Sequence, residues 1–147
     1  MAISTLKKLF ARDLSKLRTE IASYKHEANI WKIEKNIANS GGNLCLHLVG
    51  NLNTYIGKEL GGTNYVRDRP AEFALKDIPK ARLLMMIDDT MKVVDAALDH
   101  VSEEDMQQQY PILVFEEMTS TEYMLIHLAT HLTYHLGQVN YHRRLID

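Results

Sequence analysis

The stretch Thr119-Ser120-Thr121-Glu122-Tyr123-Met124-Leu125-Ile126-His127-Leu128-Ala129-Thr130-His131-Leu132-Thr133-Tyr134-His135-Leu136-Gly137-Gln138 decides the reading of this chain. Two interleaved i, i+4 series run through it. Leu128, Leu132 and Leu136 form one, and His127, His131 and His135 form the other. Residues four apart project from nearly the same side of an α-helix, so both series become continuous stripes if the segment is helical. Thr119 and Glu122 have capping-box spacing and open that helix, which is expected to run to about Leu145. The leucine stripe places the histidines at the border of a core. Neutral imidazoles there need partners, and a metal ion is an efficient one.

Upstream, the same periodicity recurs three times. Ile3, Leu6, Phe10, Leu14, Leu17, Ile21 and Tyr24 are spaced by threes and fours and mark a first amphipathic helix. Ser40-Gly41-Gly42 breaks the pattern. A second helix then turns Leu44, Leu48, Leu52, Tyr55 and Ile56 inward and ends at Gly61-Gly62, where glycine suits a C-cap. Residues from about 61 to 78 hold no sustained period and read as a long connection. Pro79 fits the first turn of a third helix with Leu83, Ile87, Met91, Val94, Leu98 and Val101 on its face. A second irregular stretch covers about 102 to 119, and Pro111-Ile112-Leu113-Val114-Phe115 within it reads as a short extended piece. The expected fold is all-α: a four-helix bundle forming a single domain over residues 1–147. The link between helices 2 and 3, roughly 17 residues, is longer than a tight antiparallel turn needs. If it crosses the length of the bundle, helices 2 and 3 are parallel, and helix 2 runs antiparallel to helix 4.

Composition excludes several function classes. A net charge of −2 gives no electrostatic reason to expect a nucleic-acid partner. The single Cys45 rules out an internal disulfide and fits a reducing cytosol. No run approaches the ~20 apolar residues of a membrane span. Lys7, Lys8, Arg12 and Asp13 interrupt the first segment, unlike the apolar core of a signal peptide. The expectation is a cytoplasmic domain with neither membrane nor nucleic-acid partners. Nothing matches a P-loop, a dinucleotide fingerprint or a nucleophile elbow.

Geometry narrows the ligands. On a helix, i and i+4 lie about 6 Å apart along the axis and i and i+8 about 12 Å, so one ion can take a neighbouring pair of the three histidines but not all three. His131 belongs to either pair. His142 is roughly 10 Å beyond His135 and falls outside. His47 lies near the start of helix 2, which the antiparallel arrangement sets beside the end of helix 4. The preferred metal triad is therefore His47, His131 and His135. His26, His100 and His142 read as surface or hydrogen-bonded core histidines. Asn51, Tyr55, Tyr134 and Gln138 flank the triad and could line a pocket or support a ligand, although each could equally be an ordinary helix residue. Arg67 and Arg69 on the crossover could bind a substrate carboxylate or simply be solvated. Glu116-Glu117 and Asp88-Asp89 read as solvated charge, Met85, Met86 and Met91 as core, and Cys45 as a buried apolar residue.

Gly42-Asn43-Leu44-Cys45-Leu46-His47-Leu48, together with His131-Leu132-Thr133-Tyr134-His135-Leu136-Gly137-Gln138, resembles the DinB-like superfamily. Its pattern is a histidine near the start of the second helix and HxxxHxGQ on the last. The resemblance covers essentially the whole chain. It implies an up-down-down-up bundle and a divalent metal ion, often nickel or zinc, held by His47, His131 and His135. Some members of that superfamily are transferases or isomerases that use bacillithiol or mycothiol.

Three histidines with no carboxylate leave coordination positions open for water or substrate. The leading expectation is a metal-dependent transferase that activates a low-molecular-weight thiol cosubstrate against an electrophilic small molecule. A metal-dependent hydrolase is the alternative, and a non-catalytic homodimer with a structural metal is the rival from another class. No residue is singled out as catalytic.

Overall fold

The computed structural model describes residues 1–147. Six α-helices occur in the order α1 (Ala2–Ala22), α2 (Gly41–Leu52), α3 (Arg69–Ala74), α4 (Lys80–Asp99), α5 (Glu103–Gln107) and α6 (Thr121–Ile146). A 3-10 turn, Glu27–Trp31, precedes α2, and a π-helical stretch, Asn53–Lys58, continues it. There are no strands, only an isolated bridge between Gln109 and Ser120. No helix is long and apolar enough to cross a membrane.

Cross-helix contacts fix the directions of the four long helices. Lys7 pairs with Asp95 and Asp99 while Arg18 pairs with Asp88, so α1 and α4 are antiparallel. Asp13 meets Thr133, and Glu20 meets Asn140 and Arg143, so α1 and α6 are parallel. Asn53 donates to Thr90, and positions 57 and 61 face Val93 and Ala97, so α2 and α4 are parallel. The bundle is up-down-down-up. Helices α1 and α2 each pack against both α4 and α6, and α2 runs antiparallel to α6. The apolar periodicity supplies the core: Leu14, Leu17, Ile21, Leu48, Leu52, Leu83, Ile87, Leu128 and Leu132 are all buried in one cluster. Each such side chain stabilises the fold by about 1.5–3 kcal/mol.

The crossover and the second irregular stretch are more structured than their sequence suggests. Asp68 caps α3 by accepting from the Ala71 N–H, with Pro70 in the first turn. Ser102 and Asp105 form a capping box on α5. Both helices are under two turns, too short to show a hydrophobic period. Residues 111–115 form no strand; Ile112, Val114 and Phe115 are half-buried against the core. The cap of α6 lies one residue later than expected. Ser120 accepts from the Tyr123 N–H, while the Thr119 carbonyl is taken by the Tyr110 N–H at 2.8 Å. Pro79 is the N-cap of α4 rather than a residue of its first turn. Gly62 follows the π-helical stretch with φ of +70°, a left-handed conformation that suits glycine, and its N–H closes on the Lys58 carbonyl.

Candidate metal centre

Helix α2 is buried along its whole length, and its only imidazole, His47, projects toward α6. The antiparallel pairing sets His47 between two successive turns of α6. Its ring centroid is 5.1 Å from that of His131 and 5.3 Å from that of His135. One ligand atom from each of His47, His131 and His135 falls within 4.8 Å of the others, and these three residues could hold a metal ion. The structure thus brings together the three histidines chosen from sequence. His127 stays out of the cluster, one turn away, with its ring edge-on to Phe115 at 4.8 Å. His142 is committed elsewhere: Nε2 donates to the Lys32 carbonyl at 2.8 Å, and Nδ1 lies 2.6 Å from the Tyr24 hydroxyl.

The other ring nitrogens set which atoms are free. His47 Nδ1–H donates to Glu72 Oε1 at 3.1 Å, and His135 Nδ1–H donates to Gln138 Oε1 at 2.7 Å. In both rings this leaves the Nε2 lone pair for a ligand, the arrangement that orients metal-binding histidines. His47 Nε2 and His131 Nε2 stand 3.2 Å apart. Tetrahedral coordination with bonds of about 2.0–2.1 Å puts two nitrogens about 3.3 Å apart, so that pair is spaced for one ion. His131 Nδ1 is buried with no hydrogen-bond partner. That atom is unpaired whether Nε2 carries a proton or an ion, so the spacing of the Nε2 atoms, not the orphaned Nδ1, is what speaks for a shared ion. The donor set fits a divalent ion taken by neutral imidazole.

Burial keeps the His131 and His47 rings neutral. Desolvation, joined by the neighbouring His135, His47 and His127, pulls His131 down to about 4. His47 is also lowered, with desolvation outweighing the opposing pull of Glu72. Neutral rings at physiological pH are ready ligands, with no proton to displace.

Glu72 and Arg67 surround this centre, and the roles expected for them change. Arg67 Nε and Nη2 reach Glu72 Oε2 and Oε1 at 2.9 and 3.0 Å, so Arg67 neutralises an internal carboxylate instead of offering itself to a substrate. Arg69 is exposed and lies over the Phe73 ring. Glu72 itself escaped the sequence reading because a lone glutamate in a structureless crossover carries no signal; the Asp68-Arg69-Pro70 cap that makes its segment helical was the available clue. Gln138 supports His135, as its position three residues on allows. Asn51 is buried one turn from His47 with Oδ1 unpartnered, and Tyr55 lies under the Arg67 guanidinium. Cys45 is fully buried.

A pocket of about 650 Å³ opens beside the cluster, between residues 34–39 and the C-terminal half of α6. His135 and Gln138 lie on its wall, with Tyr134, Tyr141, Ile37 and Leu44 around them.

Fold and site together define an all-α bundle whose second and last helices converge three histidines within reach of one ion. The chain belongs to the family described as "Protein of unknown function (DUF1572)", whose model matches residues 3–147. A comparison with curated proteins finds no match.

Proposed function

We propose that His47, His131 and His135 hold one divalent ion, zinc or nickel foremost, and that the chain is a DinB-like, metal-dependent transferase joining a low-molecular-weight thiol to an electrophilic small molecule. The observation that carries this reading is the cluster itself: three inward imidazoles, two with their second nitrogen already engaged, beside a pocket that includes His135. All three protein ligands are histidines, and no fourth His, Cys, Asp or Glu joins them, which leaves room for an outside ligand. When bound, such an ion supplies positive charge that favours the thiolate form of a thiol. Glu72 and Gln138 hold two of the rings in place. Tyr134, Tyr141 and Ile37 give the pocket an apolar wall for the electrophile. The reading includes a cytoplasmic location and a homodimer. The outward face of α6 supports the dimer, since Tyr123, Ile126, Tyr134 and Tyr141 are exposed there with no charged residue between them on that face.

Metal analysis of untagged protein, prepared without chelator, should find one equivalent of a divalent ion. His131→Ala should remove it and leave a folded bundle. Cobalt-substituted protein should change its absorption on adding cysteine, glutathione or bacillithiol, and should consume an electrophile in their presence. An unchanged spectrum with no turnover sinks thiol transfer, and ester or amide cleavage under the same conditions replaces it with hydrolysis. Melting of His131→Ala at ordinary temperature makes the metal structural. Sedimentation of a monomer at micromolar concentration removes the dimer.

A further inference from the structure

We propose that Glu72 is a positioning residue, and that the short helix α3 acts as a strap which turns the His47 ring so that its Nε2 faces His131 and His135. The inference rests on the metal reading for its purpose, but its first test does not need a metal. Five observations carry it. Glu72 is buried, and its Oε1 takes the His47 Nδ1–H at 3.1 Å. Arg67, five residues earlier, grips both carboxylate oxygens and compensates the buried charge. Asn43, one turn before His47 on α2, donates from Nδ2 to the carbonyls of Glu72 and Leu75, both at 2.9 Å, which pins the strap to the helix that carries the ligand. Lys76 and Ser40 occupy the Asn43 Oδ1 at 2.7 Å each, so the clamp has one orientation. Finally, the carboxylate lies where a side chain at position 50 would be: a Cβ on Gly50 would stand 1.8 Å from Glu72 Oε2. Helix α2 is thus cut away on the face where the strap docks.

Two groups meet His47 Nδ1: the Glu72 carboxylate at 3.1 Å, which calls for a proton there, and the Arg67 Nη2 at 3.4 Å, which calls for a lone pair; the carboxylate contact is the shorter, and it selects the Nδ1–H tautomer. With Glu72 accepting from Nδ1–H, the lone pair of His47 sits on Nε2 before any ion arrives. Strap closure and metal binding then favour the same ring geometry, and by linkage each strengthens the other.

The test uses full-length metal-free protein first. Long-range nitrogen–proton NMR should show His47 in the Nδ1–H tautomer, reverting to the commoner Nε2–H form in Glu72→Ala. Glu72→Gln, whose amide oxygen still accepts, should keep the Nδ1–H form. In cobalt titrations against a competing chelator, Glu72→Ala should bind 10- to 100-fold more weakly and Glu72→Gln should recover most of that loss. Amide exchange in residues 67–76 should slow when cobalt is added to the wild type. An Nε2–H tautomer in wild-type apo protein overturns the proposal, as does equal weakening in both variants or wild-type affinity in Glu72→Ala. A wild type that shows the Nδ1–H tautomer but takes up no metal refutes the metal reading and leaves the positioning role standing.

Discussion

Gly50→Ala perturbs the strap without replacing any charged or ligating residue. In an ordinary helix interior this substitution stabilises by about 0.5–1 kcal/mol, because alanine loses less backbone entropy. Here the new methyl would meet Glu72 Oε2 at 1.8 Å and Cδ at 2.6 Å, whereas ordinary contact begins near 3.4 Å. The carboxylate must retreat by about 1.6 Å, more than enough to break a 3.1 Å hydrogen bond to His47 or to misalign its two bonds to Arg67. Disrupting a buried, paired charge costs about 3–5 kcal/mol when nothing replaces the partner. Partial relaxation of the Glu72 side chain toward solvent, together with the helix gain, brings the expected net loss to about 1–3 kcal/mol. Urea unfolding of metal-free protein measures this as a lower midpoint at unchanged slope. Metal affinity of the folded fraction should fall about tenfold or more, since His47 loses its orienting acceptor. A Gly50→Ala protein that is more stable than wild type and binds metal equally well would refute the packing of Glu72 against α2.

Arg67→Ala should cost about 3 kcal/mol in urea unfolding, because it strands a carboxylate whose side chain is only 7% exposed. Leu17→Ala, on a helix that contributes nothing to the metal cluster, should cost about 2–5 kcal/mol while the folded protein keeps wild-type metal affinity, separating core from site. Burial pushes the Cys45 thiol up to about 12, so a thiol reagent near neutral pH should react only at the rate of unfolding; fast modification of native protein would contradict the buried placement. The Asp147 carboxylate accepts from the N–H groups of Lys25 and His26 and from Asn29, and these bonds, Lys25 first, hold it far below the usual carboxylate range. The unfolded chain then takes that proton first, so the stability is fully present above the ordinary aspartate value of about 3.9 and is lost as pH falls below it. Asp147→Asn should lower the urea midpoint at neutral pH and flatten its decline in acid; parallel curves for the two proteins would contradict this.

Long-period features were legible in the chain, and short-range ones were not. The four faces exemplified by Leu14, Leu48, Ile87 and Leu132 each recur over several turns, so every residue of the pattern reinforces the helix reading. The crossover was legible for a different reason, since its length alone permits parallel α2 and α4. Histidines 131 and 135 could be paired because helical spacing is rigid. His47 could join them because two antiparallel helices share a height scale. Glu72 could not be found that way. Its position depends on a one-and-a-half-turn helix, an arginine five residues back and a missing side chain at Gly50, none of which repeats in sequence. The π-helical stretch at Asn53–Lys58 was invisible for the same reason: one widened turn leaves the apolar pattern almost unchanged.

Buried polar side chains are densest on one helix. Helix α2 buries Asn43, His47 and Asn51, and the turn that follows buries Asn53, where leucine would satisfy a core far more cheaply. Asn43 and Asn53 are repaid in hydrogen bonds to Glu72, Leu75, Val49 and Thr90, and His47 by its bond to Glu72. What remains unpaired in the whole chain is three buried side-chain atoms: Asn51 Oδ1, Thr54 Oγ1 and His131 Nδ1. Two belong to α2 and its continuation, within two turns of His47, and the third belongs to a histidine of the cluster. Each such atom costs about 1–3 kcal/mol. A bundle shaped only for stability would scatter such costs or eliminate them. Their concentration on the two helices that meet at His47 and His131 is the physical observation that favours the proposed metal site on this wall.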